Sequence, residues 1–485
     1  MRKYTKAIAG ALALVSAVTA FSGCSGSGSP ATTSGTTDSS AASTTGETQK
    51  QMSENEGVQS AVANVSAGEN YKDIKVDTKI KWMAWWDIQE ASPAVEVFKT
   101  LYGTPENKPK GYESVADENV FVNIKVSSYA DRYTSLSKLV QSDDSPDCFP
   151  FEICNYPYSV YQNLFQPLDG IIDFTTDDWA DYKEAIDKFN WGGKNYCPIM
   201  SLVPTSFLWY RKSTVEEAGL DDPWELYEKG EWTWETFLTM ARKFSDPENG
   251  KYVLDGYNPE NSFVCTTGTP LIALEGGKLV SHLNDANIEK CLDMLRSFDN
   301  TQEQLRYPRD IDNNWSPSYP EWVNGNTLFF EDGTWRYDET WSLYKKKQKR
   351  DGSDKYYQSM KQDSIMLVAG SKNIDGYKAW IYANLVASND PEIQKAGREQ
   401  SKAEYDWTDT LLDRLDTMKD PTAFTGVFDF KNGIGQDIAS TDNQDNPVEQ
   451  LTKGPYMTGE SYTSFREQYQ GQIDARLAEL NKTVE

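Results

Sequence analysis

From residue 80 onward, short apolar runs alternate with longer stretches whose apolar residues recur at helical spacing. Ile80-Lys81-Trp82-Met83-Ala84-Trp85 reads as a strand, with Trp86-Asp87 at its end. A helix is predicted over residues 93–101. Phe121-Val122-Asn123-Ile124-Lys125-Val126 alternates as a second strand. Residues 131–141 place Tyr133, Leu136, Leu139 and Val140 on one helical face. Ser145-Pro146-Asp147, a turn that Asp147 is expected to fasten, then introduces a strand over residues 148–153. Strand, helix, strand, helix, strand predicts an α/β domain with a mainly parallel, doubly covered sheet. Such sheets bind ligands beyond the carboxyl ends of their strands. Trp85, Trp86 and Asp87, with Phe151, Glu152, Asn155 and Tyr156, therefore fall at the candidate mouth.

The same style continues. Residues 197–200 and 206–211 read as strands crossing to a second lobe, and 271–273 as a short buried strand. Helices are predicted over 288–296 and 301–305. A buried strand over 365–368 precedes a helix over 377–387, and 461–480 is the last helix. Within KGEWTWETFLTMARKF, residues 229–244, two indoles stand close together. Thr233 reads as an N-cap and Glu235 suits the first turn of a helix. Trp232 before the cap and Phe237 after it have the spacing of a hydrophobic staple. Trp234, Phe237, Leu238, Ala241 and Phe244 share a face, so both indoles are read as structural.

The amino-terminal region departs from this pattern. Arg2, Lys3 and Lys6 precede an uncharged stretch over residues 7–20. A spanning helix needs roughly 20 apolar residues, so this shorter run reads as a secretory signal over residues 1–23. It ends in Phe21-Ser22-Gly23-Cys24, a lipobox-like sequence that predicts lipidation of Cys24. The alternative is an ordinary leader cleaved nearby. In residues 25–46 all but Pro30 and Asp38 are Ser, Thr, Gly or Ala. Such a segment buries too little apolar surface to fold, so residues 24–70 are expected to be a disordered tether. The chain beyond residue 70 is too long for a single core, which stops growing beyond roughly 250–300 residues.

The formal charge is −26, which argues against nucleic acid, since that partner demands a basic face. The one basic run, residues 345–350, reads as a solvated surface. Besides Cys24, the cysteines Cys148, Cys154, Cys197, Cys265 and Cys291 show no zinc-finger spacing. They read mostly as small buried residues, with a Cys148–Cys154 bridge left open. The single histidine, His282, would have to carry any Ser-His or Cys-His catalysis. It sits in a predicted exposed turn, and no GxSxG, HExxH or P-loop motif occurs. Asp310 to Glu321 faintly echoes a calcium loop, but Trp315 stands where the turn needs glycine, so no metal site is assigned. Aromatic surface is abundant: 15 Trp, 27 Tyr and 19 Phe. Sugar C–H faces pack on such rings while amides and carboxylates bind hydroxyls.

Six segments together, in order, resemble family 1 extracellular solute-binding proteins, the lipoprotein receptors of sugar-importing ABC transporters. They are LSKLVQSDDSPDCF (136–149), QPLD (166–169), WGGKNYCP (191–198), LWYRKSTVEEAGLDDPWELYEKGEWTWETF (208–237), PLIALEGG (270–277) and WVNGNTLFFEDGTW (322–335). Arg211 and Phe329-Phe330-Glu331 depart from the family pattern. The resemblance implies a type II periplasmic-binding-protein-like fold: two α/β lobes hinged around a ligand cleft. It places crossings near residues 198–206, 367–370 and 421–430. Lobe one would be 71–200 plus 369–420, and lobe two 201–368 plus 421–485. It further implies a non-enzymatic, monomeric receptor without cofactor that hands a carbohydrate, expected to be an oligosaccharide, to a membrane permease. Trp335 and Arg336 fall where maltose-binding-like receptors place a stacking aromatic. Thr205 and Ser206 at the crossing, Thr266 and Thr267, and Tyr456 and Tyr462 are further candidate contacts. The rival readings are a surface glycoside hydrolase or lyase, and a glycan sensor or adhesin.

Overall fold

The computed structural model describes residues 54–484 apart from 77, 87, 89–91, 104–120, 127, 300–301, 309–317, 334–354, 406–407 and 441–444. Helix α1 (Glu56–Val62) starts at Asn55, whose side chain accepts from the Val58 amide at 3.1 Å. Strand β1 is Ile80–Ala84, and α2 (Pro93–Tyr102) is capped by Ser92 with Pro93 in its first turn. Then come β2 (Phe121–Lys125), α3 (Arg132–Gln141) and β3 (Cys148–Pro150). The chain crosses over through β4 (Ser201–Pro204) into β5 (Phe207–Tyr210). Helix α4 (Trp234–Phe244) leads to β6 (Tyr252–Gly256) and α5 (Pro259–Cys265). The hairpin of β7 (Ile272–Glu275) and β8 (Lys278–Ser281) precedes α6 (Ala286–Arg296) and β9 (Thr327–Asp332). Strands β10 (Tyr357–Asp363) and β11 (Ile365–Leu367) return the chain. Helices α7 (Ile374–Asn389), α8 (Pro391–Tyr405) and α9 (Asp409–Lys419) follow. Strand β12 (Thr425–Val427), α10 (Pro447–Thr458) and α11 (Tyr462–Asn481) complete it.

The first sheet has the order β11-β3-β1-β2. Strand β1 pairs parallel with both β2 and β3, and β11 runs antiparallel to β3. Strand β3 is buried throughout and β1 nearly so, as a sheet covered on both faces requires. The strand order reverses direction at β1, with β2 on one side and β3 on the other. The crevice beyond the ends of β1 and β3 is therefore a topological switch point. At the opposite, amino-end edge Asp147 ties the strands together: its carboxylate accepts from the Lys81 amide at 2.8 Å and from the Ser371 hydroxyl at 2.6 Å. Asp147 thus fastens distant segments rather than its own turn, since these partners lie 66 and 224 residues away.

The second sheet has the order β5-β9-β6, with β6 parallel and β5 antiparallel to β9. Between the two lies a third sheet, β12-β10-β4. Its strand β4 leads through Thr205-Ser206 to the carboxyl-end edge of the second sheet, where Phe207 faces Asp332. Its strand β10 leads through Ser364 to the same kind of edge on the first sheet, where Ile365 faces Pro150. The linking strands thus bring the two carboxyl-end edges toward each other.

Helix α4 has the expected anatomy. Thr233 accepts from the Thr236 amide at 3.1 Å, and Trp232 meets Phe237 edge-on at 6.1 Å. Both indoles are buried, so they serve the core. Four local expectations change. Residues 197–200 lie outside any strand, and β4 begins at Ser201. Residues 302–305 form a chain reversal rather than a helix, with amides of Glu303 and Gln304 folding back on Ser297 and Asp299. Leu367 is still paired with Cys148, so the second crossing falls on β10 rather than at 367–370. Residues 54–70, placed in the tether by composition, pack on the body instead. Val58 and Val62 of α1 are buried against α8 and α2, and the Gly68 amide donates to the Tyr382 hydroxyl at 2.8 Å. Tyr71 stacks on Tyr382 at 4.0 Å and accepts from Trp179 Nε1 at 2.9 Å. A few well-placed apolar side chains anchor a segment whose average composition is polar. The five described cysteines are buried, and no disulfide, Cys148–Cys154 included, joins them.

Candidate functional site

A cluster of aromatic and polar groups sits at the carboxyl ends of β1, β2 and β3. Trp85, one residue past β1, is half-buried. It meets Trp86 edge-on at 4.6 Å, Tyr129 at 5.0 Å and Phe149 at 6.4 Å. Trp86 leans on Trp82 at 5.7 Å, and its buried Nε1 finds no acceptor. Behind this corner Glu152 is only 2% exposed. Its Oε1 accepts from the Tyr129 hydroxyl at 2.5 Å, and its Oε2 from Arg132 Nε at 2.5 Å. Tyr129 and Arg132 escaped the sequence reading. The signal was weak, a Ser128-Tyr129-Ala130-Asp131 approach to a helix, and the partner carboxylate lies a strand away.

The other residues expected here fall deeper. Phe151 and Tyr156 pack on each other and on Phe189, and the Tyr156 hydroxyl donates to the Phe189 carbonyl. Asn155, in a 3-10 turn over Ile153–Asn155, is 2% exposed, and its Oδ1 has no partner. Asp87, Trp335 and Arg336 lie outside the described residues, as does the basic run at 345–350.

The facing edge of the second lobe is polar: Ser206 and Asn258 are half-buried, while Ser262 and Glu331 are buried. Ser206 and Ser262 both donate to Glu331 Oε1, at 2.5 and 2.7 Å, and the Asn258 amide donates to Oε2 at 2.8 Å. Glu331 is one of the residues that depart from the family pattern, and that departure was the available clue. The strand pair closes so tightly here that a Cβ on Gly256, at φ +144°, would stand 2.4 Å from the Glu331 carbonyl. Only glycine fits. Thr205 bonds β10 through its amide to the Ser359 carbonyl and through its Oγ1, which accepts from Ser359 Oγ at 2.9 Å. Thr266 and Thr267 are buried and spend their hydroxyls on the carbonyls of Phe263 and Val264. Tyr456 and Tyr462 are also buried, and the Tyr462 hydroxyl donates to the Leu283 carbonyl at 2.9 Å. These four therefore sit inside lobe two rather than on its edge.

Beneath that edge is an ionic cluster. Lys453 pairs with Glu449 at 3.0 Å, and Lys431 Nζ donates to Asn261 and to Thr452. Burial pushes the Glu260 carboxyl up to about 7, against the pull of Lys453 and Lys431. Its Oε1 has no hydrogen-bond partner. His282 has its ring nitrogens beside Glu275 Oε1 at 3.2 Å and the Pro270 carbonyl at 3.2 Å. Among the described residues no group of three or more His, Cys, Asp or Glu could hold a metal ion. Glu321 of the acidic loop accepts from Asn326 at 2.8 Å. A groove of about 830 Å³ between α1 and α8 contains none of the edge residues, so size alone does not mark the site.

The fold has many solved relatives. One is an ABC substrate-binding protein from Listeria monocytogenes in complex with cycloalternan: 15% identity, 84% of this chain, 99% of that chain, TM-score 0.55. Another is the galacto-N-biose/lacto-N-biose I-binding protein of the ABC transporter from Bifidobacterium longum: 13% identity, 84% and 99% coverage, TM-score 0.54. A third is the extracellular solute-binding protein from Staphylococcus aureus in complex with maltose: 13% identity, 84% and 99% coverage, TM-score 0.55. At these identities the likeness establishes the fold, two lobes of the type II periplasmic-binding-protein kind. The chain matches no curated protein. A family model described as bacterial extracellular solute-binding protein matches residues 112–390, more than half of the chain. The chain therefore belongs to the bacterial extracellular solute-binding proteins.

Proposed function

We propose that this protein is a lipid-anchored receptor that binds a neutral oligosaccharide between its lobes and delivers it to the permease of an ABC importer. The observation that carries the substrate class is the half-buried Trp85, braced by Trp86, Tyr129 and Phe149 at the switch point of the first sheet. A braced ring at a crevice is a stacking surface for a sugar face. On lobe two the half-buried Ser206, whose hydroxyl is held by the buried Glu331, is the polar group offered to the sugar. Trp335 and Arg336, just past β9, are proposed as the stacking pair of that lobe. The three linking strands are the hinge, with residues from about 54 to 200 and from 365 to 405 in lobe one. Helix α9, expected in lobe one, packs Leu412, Leu415 and Met418 on Phe207, Trp209 and Phe330 of the second sheet, so residues 201–364 and 409–484 form lobe two. A lipid on Cys24 and the Ser/Thr/Gly-rich segment that follows it hold this body at the outer face of the cytoplasmic membrane. Among the described residues no helix is long and apolar enough to cross a membrane.

Solved relatives captured with cycloalternan and maltose support the class, though not the particular sugar. A glycan array on the purified protein, followed by calorimetry on the best ligand, tests this reading. Tight binding without cleavage of the glycan is expected. Failure of every mono- and oligosaccharide to bind overturns the substrate class. Persistent cleavage after purification overturns the receptor reading in favour of a hydrolase or lyase. Replacing Trp335 with Ala is expected to weaken binding by about 1–2 kcal/mol.

A further inference from the structure

We propose that Tyr129 contacts the ligand and that the buried Arg132–Glu152 pair positions it together with Trp85, forming an uncharged aromatic corner. The inference rests on the carbohydrate reading of the cleft and deepens it.

Arg132 opens α3 and is 4% exposed. Its Nε donates to Glu152 Oε2, and a terminal nitrogen donates to the Tyr129 carbonyl at 2.7 Å. The guanidinium lies 3.6 Å from the Tyr129 ring centroid and 5.8 Å from that of Trp85. Tyr129 is thus held three ways: by the cation against its ring, by its hydroxyl on Glu152, and by its carbonyl on Arg132. Trp85 meets this fixed ring edge-on at 5.0 Å. Both aromatics remain half-exposed while both ions are buried.

Burying an ion pair costs several kcal/mol per ion, and a well-packed apolar replacement is often at least as stable. What the pair supplies is direction, because a planar guanidinium on a carboxylate fixes angles that packing alone does not. The two charges also satisfy each other, so the pair adds no net charge to the two rings that it holds. That suits the C–H face of a neutral pyranose and disfavours a uronate or a sulfated sugar.

The test is calorimetry on the mature protein with maltotetraose, lacto-N-biose, cycloalternan and a wider panel of neutral oligosaccharides. Tyr129→Ala should weaken the best ligand at least about tenfold. Arg132→Met alone would strand a buried carboxylate and could unfold the protein. The double variant Arg132→Met/Glu152→Gln removes both charges at similar volume and should fold. It should also bind at least about tenfold more weakly. In a Trp85→Ala/Tyr129→Ala background the same double change should cost no further affinity, because the pair acts through those rings. Equal loss in both backgrounds, or wild-type affinity in the charge-free variant, overturns the positioning role and leaves the receptor reading standing. Absence of binding by the wild-type protein to every panel member overturns the carbohydrate reading, and this proposal with it.

Discussion

Glu152 shows how far a single residue's role depends on what stands opposite. Its position after the Pro-Asp turn put it at the mouth, where a carboxylate is a natural acceptor for sugar hydroxyls. Its oxygens are instead committed to Tyr129 and Arg132. Thr233 is the opposite case, a residue whose role is local. Its bond to the Thr236 amide is the whole of its cap function. Thr233→Ala should lower stability by about 1 kcal/mol in urea unfolding. Trp85→Ala should weaken sugar binding by about 2 kcal/mol in calorimetry, since a braced ring at a crevice is a typical hot spot. It should change stability much less than loss of a fully buried indole such as Trp232.

Among the helices, α1 and α5 make the testable points. Helix α1 belongs to lobe one because Val58 and Val62 are buried between α8 and α2. Val58→Ala should cost about 2 kcal/mol, measured by chemical denaturation. Helix α5 carries Glu260, whose carboxyl is held near 7 by burial. Its ordinary value is 4.5, so the folded state holds a proton that the unfolded state releases between about 4.5 and 7. This contribution to stability is present at low pH and is lost as pH rises through that window. Glu260→Gln should therefore leave stability at pH 5 little changed. At pH 8 it should raise stability by about 1–3 kcal/mol, read from melting curves at both pH values. An unchanged pH dependence would mean that Lys431 and Lys453 hold Glu260 ionised.

The whole molecule is organised by how two similar sheets are joined. Strands β4 and β10 connect carboxyl-end edge to carboxyl-end edge, and the proposed cleft has the aromatic corner on one side and the serine-glutamate edge on the other. A ligand held by both edges favours the closed arrangement only by its differential affinity for that state. Addition of the cognate sugar should shrink the radius of gyration in small-angle scattering and raise the melting temperature. A hundredfold excess over the dissociation constant corresponds to roughly 2.7 kcal/mol of stabilisation. Binding without contraction would place the ligand on one lobe only.

Features set by nearby residues were legible in the order of amino acids alone. The strand-helix alternation and the cap and staple of α4 depend on neighbours along the chain. Other features needed the folded chain. Arg132 meets Glu152 because α3 returns the chain to a strand beside β1, and no local period encodes that meeting. Thr266 and Thr267 looked like edge residues, but α5 ends inside lobe two and its own carbonyls take their hydroxyls. The second crossing moved to β10 because Leu367 pairs with Cys148, a contact between strands far apart in sequence. Periodicity and capping are short-range and leave a mark in the order of residues. Burial and pairing depend on which segments the sheet order brings together, and only the folded chain settles that.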